Sequence, residues 1–193
     1  MRLRGILLQT DYISYIKYWI EENFSENKKR HTFAVCETAK LLAEHFGASK
    51  EKTELAALFH DMFKYIKPDE LVEYVKRFGL DAKYEKSIDL AHSKIAAEMM
   101  KCEYDITDED VINAVRFHTT GRAGMSLLEK IVFLADVIEP GRDYPGVEEL
   151  RKFAYEDLDK ACLAALENAI EYVTKKGVYI DADTLEAIKW FRK

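Results

Sequence analysis

The sequence predicts an all-α fold, a single helical bundle. Three observations carry that prediction. Only three prolines and eight glycines interrupt 193 residues. Between them, apolar side chains recur at intervals of three and four, the spacing of one helix face. No segment alternates apolar and polar residues long enough to make a convincing strand; Val178-Tyr179-Ile180 comes closest and is too short.

The elements follow in order. Tyr12, Tyr15, Ile16, Trp19 and Ile20 share one face of a first helix. A second is expected over about 30–46, with Gly47 as its stop. Ser49 caps a third, which carries Leu55, Leu58 and Phe59 and runs on toward Pro68. Pro68 and Asp69 open a fourth, ending near Gly79. Further helices are expected over about 92–101, 107–117, 127–138 and 157–175, with a short last one after Asp183. Thr107 with Asp110 resembles a capping box, aspartate replacing the usual glutamate. Segments 81–87 and 139–145 read as irregular. With no repeat and no linker, 1–193 reads as one domain.

Composition narrows the function. With 48% apolar and 33% charged residues, the chain is neither disordered nor membrane-embedded. Its longest apolar run, 161–166, is six residues, too short to span a bilayer. Ile6-Leu7-Leu8 is too short for a secretory signal, so a cytoplasmic location is expected. Lysine and arginine total 29 against 35 acidic residues, a net charge of −6. That balance argues against broad nucleic-acid binding and leaves room for a local pocket holding a small phosphate ligand. Cys36, Cys102 and Cys162 lie far apart, so neither a disulfide framework nor a cysteine zinc site is indicated.

The histidines and aspartates carry the chemistry. His60-Asp61 sits in an apolar stretch, and imidazole with carboxylate suits zinc, iron or manganese. Taken alone, the pair also reads as a partly buried histidine beside a surface aspartate. His31 begins an apolar helix face after Lys28-Lys29-Arg30 and reads as a ligand or a helix-start histidine. Asp136 stands inside Ile131–Ile138, where a carboxylate is costly to bury unless paired, protonated or bound to a metal. A salt bridge to Arg116 or Arg142 is the alternative. His92 opens a helix, and His118 ends one, where a protonated imidazole is favoured. His45 belongs to no such pattern and reads as a surface histidine. Lys64, one turn after His60, is expected on the same side as His60.

In the order His31, His60-Asp61, His92, His118, Asp136, these residues resemble the signature of the HD-domain metal phosphohydrolases. The segments FHDMFK, AHSKIA, RFHTTGRAGMSLLEKIVFLADVIEPGRDYPGV and DLDKA are similar to the YqeK-like branch, the symmetrical bis(5'-nucleosyl)-tetraphosphatases. The resemblance implies a metal core over about 28–142, with helices from 145–193 completing a nucleotide pocket. It implies that His31, His60, Asp61 and Asp136 bind one metal, iron in this branch, with manganese or another divalent transition metal as the alternative. A second ion at His92 and His118 is the alternative to contact between those histidines and substrate phosphates. The implied reaction cleaves diadenosine tetraphosphate to two ADP. Asp61, Lys64, His92 and His118 are the implied catalytic residues. Lys28, Lys64, Tyr65, Ile66, Lys67, His92, His118, Arg142, Tyr179, Ile180, Asp181, Ala182, Asp183 and Thr184 are the implied substrate contacts. Arg122 is a weaker phosphate candidate. Over 178–184, Tyr179 and Ile180 can pack on a base and Asp181 can accept hydrogen bonds from base or sugar; a plain capping loop with Asp183 as N-cap is the alternative. Other HD phosphohydrolases, a deoxynucleotide phosphatase or a cyclic-nucleotide phosphodiesterase, share the metal set. A non-catalytic nucleotide-binding module is the third reading. A homodimer is left open.

Overall fold

The structure is a computed structural model that describes residues 9–193. Its ten α-helices are α1 Gln9–Asn23, α2 Glu26–Phe46, α3 Lys50–Phe59, α4 Pro68–Arg77, α5 Ile88–Glu103, α6 Glu109–Arg116, α7 Leu127–Ile138, α8 Val147–Glu156, α9 Leu158–Lys175 and α10 Ala182–Phe191. A short 3-10 helix, Ala82–Lys86, lies between α4 and α5. The described residues contain no strand, and 178–181 is irregular. None of the described helices is long and apolar enough to cross a membrane. The stretch Ile6-Leu7-Leu8 lies outside the described residues.

Local chemistry sets the helix ends. Gly47 adopts φ 72°, so the chain turns left-handed after α2 and Ala48 N–H reaches back to Ala43 O. Ser49 Oγ accepts from Lys52 N at the start of α3. Pro68 opens α4, and Glu70 accepts from Lys67 N. Ser126 and Asp157 cap α7 and α9 through bonds from Glu129 N and Lys160 N.

Several expectations need correction. The cap of α6 is Asp108, whose carboxylate accepts from Asp110 N and Val111 N, so Thr107 is not the capping residue. Asp181, not Asp183, caps α10, accepting from Asp183 N. Segment 81–87 is ordered as the 3-10 helix rather than irregular. Helix α8 has no counterpart among the expected elements. Most important, α3 stops at Phe59, not near Pro68: Met62 N bonds to Phe59 O and Lys64 N to Asp61 O, three-residue spacings that tighten the chain. His60 and Asp61 therefore stand at a helix end.

The core explains the positions that follow. Helices α2, α3, α6 and α7 pack on one another, with α9 and α8 against α7. Their buried side chains form one apolar cluster that includes Leu42, Phe59, Ile112, Ile131 and Leu166. A smaller cluster, Leu71, Val75, Tyr84, Ala91 and Ile95, joins α4 and the 3-10 helix to α5. All three cysteines are free.

Candidate metal centre

Three helices end at one place. Helix α3 delivers His60 and Asp61, α6 delivers His118, and the last turn of α7 delivers Asp136. Helix α2 adds His31 and α5 adds His92. Helix C-termini carry partial negative charge from their free carbonyls, so this convergence favours a cation. The burial is severe: His60, Asp61, His92 and His118 are each at most 2% exposed.

Asp61 is the hub. Its Oδ2 lies 3.6 Å from His60 Nε2 and 3.7 Å from His31 Nε2. Its Oδ1 lies 3.1 Å from His92 Nε2 and 3.6 Å from His118 Nε2. Asp136 Oδ1 lies 3.2 Å from His31 Nε2. Two groups with no residue in common result, each compact enough to hold an ion: His31, His60, Asp136 and Asp61, His92, His118.

The donor chemistry says what belongs there. His60 Nδ1 rests on Ala57 O, His92 Nδ1 on Ile88 O, and His118 Nδ1 on Val115 O. A carbonyl only accepts, so each Nδ1 carries a proton, and each ring when neutral presents a lone pair at Nε2. The Nε2 atoms of His92 and His118 face each other at 3.1 Å. His31 Nε2, His60 Nε2 and Asp61 Oδ1 are buried without a hydrogen-bond partner. Buried acceptors facing one another are unfavourable unless a cation or proton lies among them. The residues present therefore fit a divalent metal.

The charges follow the same logic. Burial works to raise the Asp61 pKa, but the imidazoles of His60, His118 and His92 around it and the Lys64 ammonium hold it far below the usual carboxylate range. Asp136 is likewise lowered: burial opposes this, and His31, His60 and Arg142 prevail. Burial pushes His60 down to about 4, so it stays neutral and ready to ligate at pH 7.

Lys64 Nζ sits 2.9 Å from Asp61 Oδ2. It thus lines up with Asp61 rather than with His60, because i and i+3 eclipse in the tightened turn. Burial works against its charge, yet Asp61 and Asp136 raise its pKa and keep it cationic. Asp136 makes the expected pair with Arg142, whose Nη2 is 2.5 Å from Oδ1 and whose Nε bonds to Asp136 O at 2.7 Å, and it also faces His31. Arg116 pairs elsewhere, with Glu98. Arg122 is tied to buried Glu129. His45 contacts Tyr155 O, away from the centre.

The remaining expected contacts lie along the segments flanking the centre. Lys28 Nζ stands over the Tyr65 ring at 3.1 Å, and Tyr65 is exposed. Burial lowers the Lys28 pKa, and the charge of Asp61 opposes that. Ile66 packs on the smaller cluster and Lys67 caps α4. Segment 178–184 is fastened to the 3-10 helix and α5: Tyr84 Oη donates to Asp181 Oδ2, Lys83 pairs with Asp181, and buried Lys94 pairs with Asp183 at 2.8 Å. Tyr179 is exposed, while Ala182 and Thr184 lie in the first turn of α10. Asp181 is thus engaged within the protein at both oxygens. Sequence reasoning missed Glu139 and Arg151, which hold the loop after α7; the one available signal was an acidic residue three positions after Asp136.

The family model for the HD domain matches residues 29–141. A Bacillus subtilis (strain 168) protein named bis(5'-nucleosyl)-tetraphosphatase, symmetrical, is 37% identical over 172 residues, 89% of this chain and 92% of that one. A protein of the same name from Halalkalibacterium halodurans is 42% identical over 167 residues, 86% of this chain and 89% of that one. The crystal structure of a predicted HD superfamily hydrolase involved in NAD metabolism from Clostridium acetobutylicum is 38% identical, with a TM-score of 0.89 over 98% of this chain and 100% of that one. Similarity of this extent, laid over the segment that carries the centre, means that the chain belongs to the HD domain family.

Proposed function

We propose that this chain hydrolyses dinucleoside tetraphosphates, diadenosine tetraphosphate foremost, symmetrically to two nucleoside diphosphates. The observation that carries the reading is the set of buried, unpartnered lone pairs around Asp61, with Lys64 and Arg142 beside it. The names of the relatives, which align along most of both chains, point to the same substrate.

A divalent ion, when bound, supplies a nucleophile at neutral pH and positive charge for the phosphoryl oxygens. His31, His60, Asp61 and Asp136 would hold it, and iron is our choice on family resemblance, ahead of manganese. The chain's own residues do the rest. Water adds to one of the two central phosphorus atoms, the central P–O–P bond breaks, and a nucleoside diphosphate leaves. Lys64, kept cationic beside Asp61, and Arg142, anchored on Asp136, neutralise charge on the phosphates. His118, fixed through Nδ1 on Val115 O, presents Nε2 toward Asp61 and can carry a proton to the leaving phosphate. His92 supports the phosphate chain. Lys28, Tyr65, Ile66 and Lys67 line one side, and 178–184 closes over the nucleoside. Residues 28–142 form the metal core, 145–193 complete the pocket, and the enzyme works in the cytoplasm.

One observation favours a second reading of His92 and His118. Two Nε2 lone pairs at 3.1 Å, both facing Asp61 Oδ1, suit a second cation shared through Asp61. Chelation tests the core proposal. Protein purified without oxygen is expected to hydrolyse diadenosine tetraphosphate, to lose that activity with its metal, and to regain it with ferrous iron. Full activity in metal-free protein would contradict the proposal.

A further inference from the structure

His31 differs from the other three histidines of the centre. They rest Nδ1 on a carbonyl three or four residues back along their own segments. His31 instead meets Oε1 of Glu139, 108 positions away, at 3.2 Å. Glu139 follows α7 directly and is only 4% exposed. Its second oxygen, Oε2, accepts from Gly141 N at 2.5 Å. A side chain at residue 141 would intrude here: a Cβ would lie 2.9 Å from Glu139 Oε2 and 3.0 Å from Oε1. The loop itself is held by Arg151 on α8. Its guanidinium donates to Ile138 O, Glu139 O and Arg142 O, each at 2.8 Å. Ile138 O closes α7, where helix carbonyls lack intrahelical donors, and Glu139 O accepts from Arg142 N as well.

We infer that Glu139 is a positioning residue for the metal centre: its carboxylate fixes the proton of His31 on Nδ1 and aims Nε2 at the ion, while Gly141 and Arg151 keep that carboxylate in place. The inference rests on the metal-dependent reading above. Acceptors that hold the far nitrogen of a ligating histidine set its tautomer and orientation. A carboxylate is required because the groups around it donate: His31 Nδ1 and Gly141 N, with Arg142 Nε 3.8 Å from Oε1. Glutamine has one oxygen and one NH2, so one of its two contacts would set donor against donor.

The test titrates cobalt(II) alone into metal-free protein, reading affinity by chelator competition and ligand geometry by visible absorption. Glu139→Gln is expected to bind cobalt about 10- to 100-fold more weakly than the parent, with an altered spectrum. Gly141→Ala, which displaces the carboxylate without removing it, is expected to do the same and serves if Glu139→Gln does not fold. In a His31→Ala background, Glu139→Gln is expected to cost no further affinity, because its effect runs through His31. Affinity within twofold of the parent in both single variants, with only a lowered melting temperature, would overturn the inference. So would a full additional loss in the His31→Ala background. A parent chain that binds no cobalt would instead sink the metal-dependent reading, and the inference with it.

Discussion

Asp61→Ala is expected to lower hydrolysis of diadenosine tetraphosphate by about a thousandfold or more and to release the bound metal. No other carboxylate among the described residues faces all four histidines. One oxygen serves His31 and His60 and the other serves His92 and His118. Lys64, three quarters shielded, loses its partner as well. The variant leaves a partly buried cation and a ring of imidazoles with nothing to organise them. Metal analysis and initial rates on the purified variant check this. Retained metal and an unchanged rate would mean that the centre is elsewhere.

Phe59→Ala has the largest expected effect on stability, a loss of about 3–5 kcal/mol. Phe59 is fully buried in the main core, its ring edge-on to Tyr104 at 4.9 Å. It is also the last residue of α3, immediately before His60. The cavity would loosen the tightened turn on which His60 and Asp61 stand. For a domain of this size the melting temperature should fall by roughly 10 °C. Urea or thermal unfolding of the metal-free variant measures it. A loss under 1 kcal/mol would show that the turn and the core accommodate the change.

The legible part of the molecule was what one chain segment can declare by itself. Helix faces are written in apolar spacing, and Asp136 announces itself because an aspartate does not belong in Ile131–Ile138 without a partner. The end of α3 was not legible. Met62 and Phe63 continue its apolar pattern, and only the packed structure shows the chain tightening at His60. That is also why Lys64 meets Asp61 rather than aligning with His60. Helix α8 was obscured because its buried face is only Val147, Leu150 and Ala154. Asp181 and Asp183 compete for one cap, and tertiary bonds to Tyr84, Lys83 and Lys94 decide between them. Glu139 could not be recognised for the same reason. Its partner is on α2, and nothing in local sequence pairs position 139 with position 31.

The net charge of the chain, −6, coexists with a centre that we propose gathers phosphate. The lysine and arginine placed there are held cationic by the carboxylates they contact. Net charge speaks to long surfaces and not to one pocket.

The identity of the products tests the central claim most directly. Holoenzyme prepared without oxygen, incubated with diadenosine tetraphosphate and followed by chromatography, is predicted to yield ADP alone, two molecules for each substrate consumed. ATP and AMP in equal amounts, or no cleavage by fully metallated protein, would contradict it.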